Sequence, residues 1–189
     1  ESAICVTAQH RQMLDQVLDW FGITPDYDLD LMQPDQSLSE ITARSLNGVT
    51  GVIEQVEPNM VLCQGDTTTA MTAAMAGFYQ RVPVGHVEAG LRTGDVYNPF
   101  PEEVNRRLIS VMASLHFAPT ATARDALLRE NTNPASILVT GNTVIDALHW
   151  TVAQPHELRL DVPLDTPGER LILVTAHRRE SFGPEFEAI

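Results

Sequence analysis

The stretch "NMVLCQGDTTTAMTAAMAGFYQRVPVGHVEAG", residues 59–90, decides the fold. It opens with an apolar run around Val61–Leu62–Cys63, of the kind a buried strand uses. Gly65 ends that run, and Thr67–Thr69 follow where hydroxyls suit the first turn of a helix. An alanine- and methionine-rich segment then reads as helix to about Arg81, and "VPVGHVEAG" (82–90) returns to strand. Strand, helix and strand within about thirty residues make one βαβ unit, whose two strands run parallel.

The same alternation extends in both directions. Upstream, "AICVTA" (3–8) reads as a strand, and Met13, Leu14, Val17, Leu18 and Phe21 trace an amphipathic helix stopped by Gly22. Residues 23–36 read as a loop, and Ser37 with Glu40 forms a capping box opening a helix through about Glu57. Downstream, a long loop leads to the helix "PEEVNRRLISVMAS" (101–114). The strand "LHFAPT" follows, then a helix capped by Thr120, the strand "SILVTG" (136–141) and the helix "NTVIDALHWTV". Residues 153–169 hold three prolines and read as a linker, after which "RLILVTA" (170–176) begins another strand. The pattern predicts an α/β fold: a Rossmann-like parallel sheet with helices on both faces.

Composition narrows the function. The chain has 189 residues, 43% of them apolar, which is enough for a substantial core. Its formal charge is −13, and all twelve of its basic residues are arginine. With no lysine there is no P-loop lysine, Schiff base or lysine general base within these residues. The acidic balance argues against a nucleic-acid partner. No stretch approaches the roughly 20 apolar residues a membrane span needs, and no signal peptide opens the chain. The start "ESAICVTAQH" reads as the interior of a domain. Cys5 and Cys63 sit in apolar runs and read as reduced, buried thiols.

In open parallel sheets, ligands bind beyond the carboxyl ends of the strands. Asp66, Glu88 and His177 each fall at such an end, and Glu102 falls at the start of the helix after the long loop. Each also has a plainer reading. The "GDTTT" turn can be no more than a helix cap. Glu88 can be paired with Arg92 or Arg107. Glu103 lies four residues before Arg107, so the two read as a surface ion pair, leaving Glu102 to face the site. The arginines of "HRRES" can be solvated or can hold phosphates. His86, His116 and His177 lack zinc-ligand spacing, so no metal is expected. The G-x-S-x-G and G-x-G-x-x-G motifs are absent.

Taken together, the segments "VTAQHRQMLDQVL", "QGDTTTA", "FYQRVPVGHVEAGLRTGD", "PFPEEVNRRL", "HFAPT", "LLREN", "VTGNTVIDAL" and "VTAHRRESFG" closely resemble the bacterial non-hydrolysing UDP-N-acetylglucosamine 2-epimerases, in order and over nearly the whole chain. The resemblance implies a two-domain GT-B-like architecture with the UDP-sugar between the domains. It divides the chain into an N-terminal Rossmann-like domain (1–152), lacking the family's opening strand, a linker (153–169) and the start of a nucleotide-binding domain (170–189). It implies elimination of UDP from UDP-GlcNAc to a glycal and re-addition after inversion at C2, giving UDP-ManNAc for surface polysaccharide.

The matching site residues are Asp66, Glu88, Glu102 and His177, with Asp66, Glu88 and His177 also contacting substrate. The resemblance further implies no cofactor, a homodimer, a cytoplasmic location, and no activity from the 189-residue chain on its own. Gln9 and Gln12 match glutamines of an allosteric UDP-GlcNAc site in some relatives, whereas Asp35 stands where those relatives carry arginine. A hydrolysing 2-epimerase, a GT-B glycosyltransferase and a UDP-sugar-binding fragment are the competing readings.

Overall fold

Strand and helix alternate along the chain: β1 Cys5–Val6, α1 Arg11–Phe21, β2 Tyr27–Asp28, α2 Leu38–Val56, β3 Val61–Gln64, α3 Thr68–Tyr79, β4 Val84–Val87, α4 Glu102–Met112, β5 Leu115–Ala118, α5 Ala121–Arg129, β6 Ile137–Val139 and α6 Thr143–Ala153. The computed structural model describes residues 1–8, 11–31, 33, 35–155 and 172. Gln9, His177 and the expected strand at 170–176, save Ile172, lie outside the described residues, as does the side chain of Gln12. Two units divide the chain, Glu1–Ala147 and Leu148–Ile189. The first carries both sheets. The described part of the second is the end of α6 with residues 154, 155 and 172.

All the described strands pair in parallel, β1 with β2 and then β3-β4-β5-β6 in sequence order. With helices on both sides of the sheet, this is the α/β class expected from the alternation. One expectation is corrected: the loop at 23–36 contains β2, where Tyr27 and Asp28 pair with Cys5 and Val6. Two residues beside acids offer no apolar run for a sequence reading to find. Among the described residues, no helix is long and apolar enough to cross a membrane.

Local chemistry sets the helix starts. Ser37 and Glu40 make the full capping box on α2, and Thr67 and Thr120 accept the N–H groups of Ala70 and Ala123 at the starts of α3 and α5. The small side chains of α3 let it pack closely, with Ala74 and Ala76 fully buried. Ala70, Met71 and Ala74 meet Cys63, Val84 and Ile109, while Ala76 meets Val49 and Ile53 of α2. A buried hydroxyl pair, Ser45 with Thr72 at 2.7 Å, joins α2 to α3. Neither cysteine is in a disulfide, and burial pushes the Cys63 thiol up to about 12.

Register positions the site. Gln64 pairs with Val87, and Val87 with Phe117, so the carboxyl ends of β3, β4 and β5 are level. The turns after β3 and β4 therefore emerge side by side. Behind them, Gly90 takes φ +89° under α5, where a Cβ would come 2.3 Å from the Ala123 carbonyl oxygen. That position admits only glycine.

Candidate active site

Asp66 follows β3 in a turn held from three directions. The N–H of Gly65 donates to the Val87 carbonyl at 3.1 Å, tying the turn to β4. From α4, the Asn105 amide donates to the Asp66 carbonyl at 2.9 Å. The neighbouring Arg106 donates from Nε and Nη2 to Asp66 Oδ2, at 2.9 and 2.6 Å. Beneath the turn lies His86 of β4, fully buried, with Nε2 2.8 Å from the Gly65 carbonyl oxygen. A carbonyl only accepts, so Nε2 carries the proton and Nδ1 is an acceptor, with no protein partner among the described residues. Burial pushes this imidazole down to about 4, more than the Gly65 hydrogen bond restores, so the ring is neutral near pH 7.

Glu88 stands at the adjacent strand end with φ +69°. A left-handed backbone is uncommon for a glutamate and costs on the order of 1 kcal/mol or more. Its side chain lies by the Asp66 turn, since a Cβ on Gly65 would come 3.6 Å from Glu88 Oε2. Burial raises the pKa of Glu88, and the negative charge of Asp66 raises it further. The Arg106 charge and a hydrogen bond from Asn142 oppose that rise without cancelling it. The sequence alternatives of Arg92 or Arg107 as partners of Glu88 do not hold. Arg92 is spent on Glu130, at 2.9 and 2.8 Å, and on Ser110 at 2.9 Å. Arg107 is spent on Glu103.

Glu103 requires a correction. The expected i, i+4 pair with Arg107 is present at 3.0 Å, but it is no surface bridge, because the Glu103 side chain is 0% exposed. Its carboxylate accepts from the N–H groups of Thr93 at 3.0 Å and Gly94 at 3.3 Å, and from Arg106 at 3.3 Å. Burial alone would raise its pKa. The Thr93 amide, Arg107 and the Gly94 amide outweigh burial and hold it below the usual range. The helix turns this residue inward because Glu103 and Asn105, with Ile109 and Ser110, form the buried face of α4.

Glu102 opens α4 and is half-buried. Asp66, Glu88 and Arg106 are thus brought together. Asn105, Arg106 and Asn142 were not singled out in the sequence; the signal for the first two was the "NRR" run one residue after the acids. Gln12 lies within α1, and Asp35 is exposed with φ +56°. His86 and His116 are both bound to backbone carbonyls, of Gly65 and Ser110. A depression of about 380 Å³ between the ends of α4 and α5, lined by Ser110, His116, Asn133 and Ser136 among others, contains none of the three candidate carboxylates.

A cluster of ionisable side chains at the carboxyl edge of a parallel sheet is where this fold places ligands. A family model described as UDP-N-acetylglucosamine 2-epimerase matches residues 1–189. The chain is 57% identical over 197 residues to a UDP-N-acetylglucosamine 2-epimerase of Yersinia pestis, covering 100% of this chain and 52% of that protein. A Listeria monocytogenes structure described as a UDP-N-acetylglucosamine 2-epimerase is 52% identical with TM-score 0.87, over 97% of this chain and 48% of the other. The UDP-GlcNAc 2-epimerase of Neisseria meningitidis, solved bound to UDP-GlcNAc, is 55% identical with TM-score 0.77, over 79% of this chain and 40% of the other. The structural neighbours are of the GT-B type. The chain spans about half the length of the curated relatives it matches. On its sequence and on its fold, the chain belongs to the UDP-N-acetylglucosamine 2-epimerase family.

Proposed function

We propose that the full-length protein is a non-hydrolysing UDP-GlcNAc 2-epimerase, interconverting UDP-GlcNAc and UDP-ManNAc. In the forward direction a base takes the C2 proton, the C1–oxygen bond to UDP breaks and a C1=C2 double bond forms. A proton then returns to the opposite face of C2 while the UDP oxygen rejoins C1. The chemistry requires acid–base groups near both faces of the sugar and donors for the departing diphosphate.

The observation that carries this reading is Glu88, held in a left-handed backbone conformation beside the Asp66–Arg106 ion pair. Its raised pKa suits a group that exchanges a proton with carbon, and Arg106 supplies fixed positive charge next to it. Asp66 and Glu88 are the acid–base candidates here, with Glu102 as a third carboxylate and His177 as the group facing the diphosphate or sugar. Gln9 and Gln12 remain candidates for an effector site, without the arginine that Asp35 replaces.

The domain limits at 152 and 169, a homodimer, a cytoplasmic bacterial setting and supply of ManNAc units to surface polysaccharide belong to the same proposal. The test is proton NMR of UDP-GlcNAc with the full-length protein in deuterated water. Deuterium at C2 with UDP-ManNAc appearing supports the proposal. Free ManNAc would mean a hydrolysing enzyme, and no change would mean a binding or structural role.

A further inference from the structure

Among the described residues, Glu103 is the only acidic residue that is fully buried. Burying a carboxylate is costly unless it is fully hydrogen-bonded. Here each oxygen serves one loop amide and one guanidinium. Oε2 accepts from the Thr93 N–H and Arg106 Nη1, and Oε1 accepts from the Gly94 N–H and Arg107. The same Arg106 turns its other two nitrogens, Nε and Nη2, to Asp66 Oδ2. One guanidinium therefore bridges two carboxylates, with a side chain only 14% exposed.

The loop amides matter as much as the arginine. Thr93 and Gly94 continue the segment that leaves Glu88, and Gly94 itself takes φ +87°. Thr93 Oγ1 donates to the Asn98 carbonyl at 2.6 Å, closing the loop on itself. Through Glu103, the chain after one candidate carboxylate is fastened to the guanidinium that grips the other. An anchor for the loop alone would need only the two amides and no second arginine contact.

We propose that Glu103 is a positioning residue for Asp66: it fixes the plane of the Arg106 guanidinium, so that Arg106 presents Nε and Nη2 to Asp66 in the geometry required for proton transfer at C2. This rests on the epimerase reading above. Glu103 does not touch the reacting atoms; it acts through Arg106.

The test uses Glu103→Gln in the full-length protein, which keeps the side-chain volume and one acceptor but cannot serve both guanidinium groups. A misplacement of about 1 Å can cost about 100-fold in rate, so kcat should fall about 10- to 100-fold. KM for UDP-GlcNAc should change by less than about threefold, because substrate binding is not what is lost. On an Arg106→Ala background the same substitution should lower kcat by less than about threefold, since the path through Arg106 is already cut. Equal losses on both backgrounds, or a lowered melting temperature with kcat unchanged, would overturn the proposal.

A second readout needs no turnover. In the nitrogen–proton spectrum of the arginine side chains, the Arg106 Nε–H should exchange slowly in the wild type and rapidly in Glu103→Gln. If the wild type fails to epimerise, the functional reading falls while this signal still decides the positioning role. If Glu103→Gln does not fold, Glu103→Asp, one methylene shorter, should show the same loss of protection. Protection retained in the folded variant would overturn the proposal.

Discussion

Arg106, in the second turn of α4, reaches across 40 residues of sequence to hold the Asp66 carboxylate through Nε and Nη2 at 2.9 and 2.6 Å. The contact joins the turn after β3 to a helix that starts beyond β4 and a long loop. It also sets a positive charge beside Glu88, where it opposes the rise in that residue's pKa.

Replacing Arg106 should damage turnover more than folding. In the full-length protein, Arg106→Ala leaves both Asp66 and Glu103 without their shared cation, and kcat/KM should fall by about 100- to 1,000-fold, on the scale of losing a preorganised charge. Arg106→Lys should recover little, because an ammonium cannot present donors to two carboxylates in a fixed plane. Steady-state kinetics on UDP-GlcNAc decides it, and wild-type kinetics for the lysine variant would count against the assignment.

Glu88 should behave as a group whose stability contribution runs against its function. Its folded-state pKa is raised, so the native state holds the proton more tightly than the unfolded chain does. The associated stability is present below the unfolded pKa and is lost as pH rises through the folded value. Glu88→Gln should therefore be at least as stable as the wild type at neutral pH, with the advantage fading under acid, while turnover falls by about 100-fold or more. Thermal melts at pH 4 and pH 7 with parallel assays measure both; a variant less stable at neutral pH than at acid pH, relative to the wild type, would refute the sign.

Gly90→Ala should destabilise the protein strongly. The new Cβ would stand 2.3 Å from the Ala123 carbonyl oxygen in a backbone at φ +89°. Overpacking and a left-handed alanine together cost about 2 kcal/mol or more. Denaturant titration should show a markedly lower midpoint, and an unchanged midpoint would mean that α5 does not pack on Gly90 in solution.

Residues 1–189 alone should not convert UDP-GlcNAc to UDP-ManNAc. The proposed site needs His177 held by a complete second domain, and proton transfer tolerates little displacement of the groups it uses. A purified 189-residue chain turning over at the rate of the full-length protein would refute a site shared between two domains.

Much of the fold was legible because its signals are local. The Ser37–Glu40 box, the Thr67 and Thr120 caps and the Gly22 stop each act within a few residues of where they stand, and each is where the pattern placed it. The positions of Asp66 and Glu88 at level strand ends follow from the same alternation, since parallel pairing keeps neighbouring carboxyl ends at one edge. β2 was hidden because pairing with β1, rather than its own residues, makes Tyr27–Asp28 a strand.

The sequence by itself determined that the chain folds as alternating parallel strands and helices, and that acids stand where that fold binds ligands. Only the tertiary structure decided what surrounds them. Glu102 and Glu103 are equally good first-turn acids, and the choice of which turns inward came from the face of α4 that Asn105, Ile109 and Ser110 bury. Which arginine pairs with which carboxylate depends on charge contacts 40 residues apart, where Arg106 meets Asp66, and 38 apart, where Arg92 meets Glu130. Periodicity and capping are short-range preferences carried by each residue's own backbone, whereas an ion pair forms between whichever groups the packed helices and strands bring within about 4 Å.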